Sequence, residues 1–380
     1  MTIRRCCLIL VVAVASAVTS IAQTNVRPVL PPDVYATVGH EVNIYFDNVV
    51  LVARRGDVLF DVTCAKGRQD EDRWRFTPKP EDIGDHPLTL TVIDAEMNVL
   101  AESEATVHVA SADAGAGKAI SLMCVGDSLT HASAYPKELW RLFGAEGTTA
   151  AKLVGTHHPM DSLPAEVVHE GYGGWSWQLF CTRWTDGDDV RARSPFLRLE
   201  GETPILDFQA YCDTNNEGTG PDFITVLLGC NDTFSATEED IEARIDTMFG
   251  HADTLLAEFQ AVRPDTQIGL LLLLPPAASQ DAFGSNYTCG QTRWQYRRNQ
   301  HRVVERMTEK FAGREAENIW LLPAHLNVDT VNNYPTRAEP ANARTETVTA
   351  RQANGVHPST EGYLQIADTI YAWLRGRLAE

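Results

Sequence analysis

Four clusters of polar residues interrupt a largely apolar chain, and their residue types suit acyl transfer. Ser128 follows the apolar run 119–125 (AISLMCV) across Gly126-Asp127. Glu170-Gly171-Tyr172-Gly173-Gly174-Trp175 is glycine-rich. Gly229-Cys230-Asn231-Asp232 closes a second apolar run, and Asn354-Gly355-Val356-His357-Pro358-Ser359 precedes an amphipathic stretch. A neutral serine hydroxyl is a weak nucleophile and needs an imidazole to take its proton. The tetrahedral oxyanion that follows needs preorganised donors, each worth roughly 3 kcal/mol of barrier. A serine after Gly-Asp is equally at home in a plain turn, so the argument rests on the four clusters together.

The elements around these clusters place all of them on one edge. Strands are expected at 119–125, 151–156, 222–229, 267–274 and 318–324, with helices around 134–144, 175–184, 237–262, 291–314 and 360–378. Alternating strands and helices predict an α/β three-layer sandwich, a parallel five-stranded sheet covered on both faces. Such sheets bind ligands at the carboxyl ends of their strands, where each cluster falls. Tyr363, Ile366, Ala367, Ile370, Tyr371 and Leu374 share one stripe of the last helix. Long connections at about 185–220, 275–290 and 325–353 mark insertions with functional potential. Residues 27–110 read differently, with the short strand-like runs VNIYFDNVVLV, DVLFDVTCA, RWRFTP, HPLTLTVIDA and EATVHVA about ten residues apart. That spacing predicts a small all-β, immunoglobulin-like sandwich with a packing or spacer role. Residues 111–118 are its linker to a catalytic domain at 119–380.

Residues 1–22 read as a secretory signal: Arg4 and Arg5, an apolar run from Cys6 to Val18, and a small-residue site ending at Ala22. The apolar run is short of the roughly 20 residues of a membrane span. Cleavage near Ala22 predicts a secreted or periplasmic protein without stable membrane insertion. It also moves the net charge from −19 to −21, with 30 basic residues left against 51 acidic. Such a charge repels nucleic acid and anionic membranes. Six cysteines remain, Cys64 among them, and Cys124 and Cys230 are expected in the core. Cys181, Cys212 and Cys289 fall in loops or insertions and are better placed for disulfides, with connectivity open. The pair His157-His158 lacks a carboxylate or cysteine at ligand spacing, so neither a metal nor another cofactor is expected.

The four clusters resemble, in order and spacing, the four blocks of the SGNH hydrolases, the GDSL esterase family, over about 119–380. The resemblance implies a flavodoxin-like fold with Ser128 as nucleophile and His357 as base. It also implies an oxyanion hole from the backbone N–H groups of Ser128 and Gly174 and the amide of Asn231. The elbow G-x-S-x-G of the α/β-hydrolases is not matched, because Thr130 stands at its fifth position, and no S-x-x-K follows Ser128, because His131 stands three residues on. One position departs from the family pattern: Asn354 stands where an aspartate usually supports the histidine. An amide can orient the ring but supplies no charge, and Asp→Asn in the serine proteases costs about 10⁴ in turnover. Asp329 and Glu170 are the acids to consider as substitutes. The block Glu170–Trp175 looks like that of secreted carbohydrate acetylesterases, and Trp175 and Trp177 are candidate sugar-stacking residues, with Trp184, Tyr287 and Trp294 nearby. The expected substrate is an acylated carbohydrate or another small ester. A lipolytic esterase of the same fold and a non-catalytic glycan-binding protein are the alternatives.

Overall fold

The structure is a computed structural model describing residues 26–53, 55–144 and 149–380. The expected signal, with Cys6 and Cys7, lies outside the described residues. The first unit holds β1 (Asp33–Thr37), β2 (Val42–Tyr45), β3 (Leu59–Cys64), β4 (Arg68–Gln69), β5 (Arg73–Phe76), β6 (Gly84–Ile93) and β7 (Val99–Ala110). Two sheets, β1-β7-β6-β3 and β2-β5-β4, enclose one apolar core, with β1 parallel to β7 and β6 antiparallel to it. Period-two alternation is plain in β6, where Leu88, Leu90 and Val92 are buried between half-exposed threonines. The long strand expected from Val42 stops at Tyr45. Its continuation is a one-turn helix, α1 (Phe46–Val49), because Asn48 Nδ2 donates to Val328 O at 2.9 Å and draws the chain towards the second unit.

The second unit is a parallel sheet. Its strands are β8 (Ala119–Gly126), β9 (Ala150–Val154), β10 (Glu170–Gly171), β13 (Phe223–Leu227), β14 (Gln267–Leu271) and β15 (Ile319–Leu322). Two antiparallel hairpins lie off it, β11 (Leu197–Glu200) with β12 (Thr203–Leu206), and β16 (Thr336–Pro340) with β17 (Val348–Gln352). One side of β8 pairs with β13. The other pairs with β9 along its first half and with the two-residue β10 at its carboxyl end. The expected five strands are present, with the outermost position divided between β9 and β10. The order places the first strand between the second and third, the flavodoxin-like arrangement, and so creates a switch point beside the end of β8.

Helices follow as α2 (Ser128–His131), α3 (Ala134–Phe143), α4 (Trp177–Thr182), α5 (Phe208–Asn215), α6 (Cys230–Thr233), α7 (Ile241–Val262), α8 (Gln280–Tyr287), α9 (Arg293–Phe311), α10 (Ala324–Asn327) and α11 (Thr360–Ala379). The sheet grows outward from β8 in both directions, so right-handed crossovers put helices on opposite faces. Accordingly α3 packs with α11, and α7 packs with α4, α5 and α9. The three long connections carry structure of their own, namely the two hairpins with α5, α8 and α10.

The sandwich is no spacer. Its Val29 and Tyr35 belong to the core of the α/β unit, and Leu326 of α10 belongs to the core of the sandwich. Asn43 donates its backbone N–H and its Nδ2 to Asn327 Oδ1 at 2.9 and 3.0 Å. Buried Arg297 donates to Val50 O at 3.0 Å and to Asp47 O. His301 and His325 donate through Nε2 to Arg27 O at 3.1 Å and Val29 O at 2.8 Å. The linker is held as well, by Arg375 Nη1 on Ala114 O at 2.6 Å. All six cysteines of the described residues are free. None of the bridging candidates Cys181, Cys212 and Cys289 bridges: Cys289 is exposed and free, and Cys181 and Cys212 are helical and buried, because α4 and α5 fold into the core instead of looping over it. No helix among the described residues is long and apolar enough to cross a membrane.

Burial lowers the pKa of His325 to about 4 and that of His301 to about 3, and the Nδ1 of each has no acceptor for a second proton. Both rings are neutral when folded but titrate near 6.5 when unfolded, so stability held above pH 6.5 is lost as pH falls towards 4. Thermal denaturation at pH 7.5 and 4.5 should show this as a fall in Tm. His325→Asn, which cannot titrate, should lower Tm at pH 7.5 and flatten the dependence.

Candidate active site

Ser128 is lifted out of the sheet by a turn that only certain residues can make. A Cβ at Gly126 would lie 2.0 Å from Thr130 Oγ1 and 2.9 Å from Leu227 O, so β8 can end against β13 only with glycine there. Asp127 caps the next turn, its Oδ1 accepting from Leu129 N at 2.9 Å. Ser128 is then the first residue of α2, half-buried at the switch point.

His357 reaches the same point from the loop before α11. Ser128 Oγ donates to its Nε2 at 2.8 Å, across 229 residues of sequence. Burial alone lowers the pKa of this imidazole, which leaves it neutral and able to accept a proton at neutral pH. Asn354 does not stand behind the ring. Its Oδ1 accepts the backbone N–H groups of Val356 and His357 at 3.1 and 2.9 Å, a turn that sets the direction of the His357 side chain from the main chain.

The two substitute acids are engaged elsewhere. Asp329 accepts from Tyr45 OH at 3.2 Å, from Val331 N and Asn332 N at 2.9 Å, and from Asn332 Nδ2 at 2.8 Å. It ties the sandwich to the loop whose Asn333 O accepts from Ser359 N at 2.9 Å, two residues beyond His357. Glu170 is fully buried and accepts from Thr156 N at 2.6 Å, Tyr172 OH at 2.5 Å and Tyr211 OH at 2.7 Å. It steadies the glycine-rich segment from below. Among the described residues no side chain bonds His357 Nδ1, and the arrangement is a Ser–His dyad.

The anion-binding candidates sit on the neighbouring loops. Gly174 has φ +82 and open space where a Cβ would be, and its N–H has no partner among the described residues. Asn231 Nδ2 donates to Trp175 O at 2.8 Å and to Asp127 Oδ2 at a longer 3.3 Å, which fixes the amide between the two loops. Asp127 is buried, and desolvation first, with Asp232 nearby, raises its pKa to about 7. Desolvation likewise raises Asp232 to about 6. Sequence reasoning missed these two acids as perturbed groups, although Asp127 adjoins Ser128 and Asp232 adjoins Asn231.

Trp175 and Trp177 are corrected from sugar platforms to core residues. They are 3% and 2% exposed, and Trp175 packs on Tyr172 and Phe180 at ring distances of 4.5 and 4.8 Å. Trp184 is half-buried under Arg193, Tyr287 is half-buried, and Trp294 is exposed. A histidine cluster behind α2 also went unforeseen. His157 Nε2 and His131 Nδ1 are 2.9 Å apart, and His169 Nδ1 accepts from Gly171 N at 3.0 Å. The cluster's signals in the sequence were the His157-His158 pair, weighed there only as a metal site, and the position of His131, one helical turn after Ser128. Burial keeps His157 and His169 neutral, with pKa values of about 4 and 3. No group of three or more metal-ligating side chains occurs among the described residues.

Neither a family model nor a curated protein sequence matches the chain. Solved structures similar to it include a carbohydrate acetylesterase family member from Sinorhizobium meliloti, 13% identical with TM-score 0.39, covering 68% of this chain and 99% of that one. Another is an acetylxylan esterase from Geobacillus stearothermophilus, 15% identical with TM-score 0.33, covering 70% and 95%. A third is the acetyl xylan esterase AlAXEase, 12% identical with TM-score 0.36, covering 67% and 100%.

If His357 must be neutral to act, kcat/KM should fall on the acid side with a midpoint below pH 6.5, as its lowered pKa requires. Asn354→Asp places a negative charge on the turn that aims His357, its oxygen still accepting the N–H groups of Val356 and His357. The charge should move that midpoint to higher pH, while kcat should change by less than about tenfold, because the carboxylate does not stand on Nδ1 as an aspartate does in serine proteases. A pH–rate profile of both proteins on a chromogenic acetate ester checks the two shifts.

Proposed function

We propose that this protein is a serine esterase of the Ser–His dyad type, which removes O-acetyl groups from carbohydrate. The observation that carries the reading is the 2.8 Å bond from Ser128 Oγ to a neutral His357, with the unpartnered Gly174 N–H and the Asn231 amide on adjoining loops. Ser128 Oγ attacks the acetyl carbon as its proton passes to His357 Nε2. The N–H groups of Ser128 and Gly174 and the amide of Asn231 receive the oxyanion. Asn231 turns to it the hydrogen now held at 3.3 Å by Asp127, the weaker of its two bonds. Collapse returns the proton to the leaving sugar oxygen and leaves an acetyl ester on Ser128. Water then attacks that ester, gives a proton to His357, and acetate departs as Oγ is reprotonated. His357 has no carboxylate behind it, so transition-state stabilisation falls mainly on the oxyanion donors. The likeness of Glu170–Trp175 to the carbohydrate acetylesterase block favours a sugar over a lipid leaving group.

Ser128→Ala should abolish hydrolysis and labelling by a fluorophosphonate while the circular dichroism spectrum is preserved; label retained by that variant would overturn the assignment. Asn231→Ala should lower kcat by roughly 10² to 10³ with little change in KM, because the amide is needed only as charge develops. An acyl series from acetate to octanoate should show kcat/KM highest at acetate, and a maximum at long chains would favour a lipolytic esterase instead.

A further inference from the structure

The connection after α4 builds a cleft that no motif announced. We propose that this cleft, between Gly173–Trp175 and the loop Arg183–Ala192, binds the sugar that carries the ester, and that it is made for a neutral, hydroxyl-rich ligand. The inference deepens the esterase reading and rests on it for the identity of the bound group. The cleft encloses about 500 Å³, within the range of small-molecule sites. Its inner wall is the segment that bears the Gly174 N–H, and a side chain at Gly174 would meet nothing within 4 Å, so that the wall is open there.

The outer wall is preformed. Thr185 N donates to Ala192 O at 2.9 Å, Ser194 N to Arg183 O at 2.8 Å, and Ser194 Oγ to Phe180 O at 2.7 Å. Trp184 pairs with Arg193 across the loop, and the Arg193 guanidinium covers the Trp184 ring at 5.0 Å. A wall already ordered loses little entropy when a ligand arrives.

The unused hydrogen-bonding groups define the ligand. Arg191 is committed to Asp189 through contacts of 3.1 and 3.2 Å. Asp186 has no partner among the described residues, and Arg183 spends only its Nε, on Arg191 O at 3.3 Å. One free carboxylate thus faces the cleft with the free end of one guanidinium. Adjacent sugar hydroxyls, each both donor and acceptor, can give a proton to Asp186 and accept one from Arg183. Two arginines and two aspartates leave the lining without net charge, which offers nothing to a uronate chain, and its polar side chains offer no trough to an acyl tail.

The test measures kcat/KM for acetylated xylo-, manno- and galacturono-oligosaccharides relative to p-nitrophenyl acetate, in the wild type, Asp186→Ala and Arg183→Met. For the neutral oligosaccharides this ratio should fall at least tenfold in both variants, through KM. An unmoved ratio overturns the subsite and leaves the esterase standing. Preference of the wild type for the acetylated galacturonate chain overturns the neutral class. Should the wild type deacetylate none of them, the carbohydrate esterase reading falls. The subsite is then decided by calorimetric titration of Ser128→Ala with unacetylated xylotetraose and mannotetraose. Binding that disappears on adding Asp186→Ala supports the subsite, and no binding overturns it.

Discussion

In the proposed reaction one imidazole must stay neutral while it is aimed at a hydroxyl 229 residues away, and the elements of the site answer to that demand. Burial meets the first part by lowering the pKa of His357. The parallel sheet meets the second, because every strand delivers its carboxyl end to one edge. The same burial has a cost in the proposed reaction, since the imidazolium formed at attack is also less well solvated. With no carboxylate on Nδ1, that charge is balanced chiefly by the oxyanion forming beside it. In that proposed reaction the oxyanion donors would bear more of the catalysis than they would in a full triad.

Two buried carboxylates, Glu170 and Asp127, and the half-buried Asp232 lie on the segments of the site without bonding His357. Glu170 gathers the hydroxyls of Tyr172 and Tyr211 and the N–H of Thr156, which gives a buried charge the donors it needs and holds the glycine-rich segment above it. Desolvation raises both Asp127 and Asp232, and the nearby Asp232 raises Asp127 further. A full negative charge at Asp127 would oppose an oxyanion held by Asn231, its own neighbour. Burial that pushes Asp127 up to about 7 weakens that opposition near neutral pH.

The sandwich enters this arrangement through Asp329. Tyr45 donates to its carboxylate, the carboxylate caps the loop at Val331 and Asn332, and that loop receives the chain just past His357. The all-β unit therefore supports the loop that bears the base, in addition to sharing a core with the α/β unit. Its own strands contribute no group to the dyad.

The parallel sheet, its strands and helices, and the meeting of Ser128 with His357 were legible in the chain. Those features follow from local causes: apolar runs, glycine turns and one-sided helical stripes repeat at short range. Tertiary structure alone decided what each polar or aromatic side chain meets. Trp175 and Trp177 carry the composition of a sugar platform, yet they are core residues because α4 and its flanks turn inward. Asp329 and Glu170 have the chemistry to support a histidine, but partners from distant segments claim them first. Asn354 spends its oxygen on its own backbone. Cys181 and Cys212 sit in an insertion and still end up buried and free. Spacing in sequence sets which residues share a loop or an edge, whereas the direction of a side chain, its burial and its pKa depend on contacts between segments far apart in the chain.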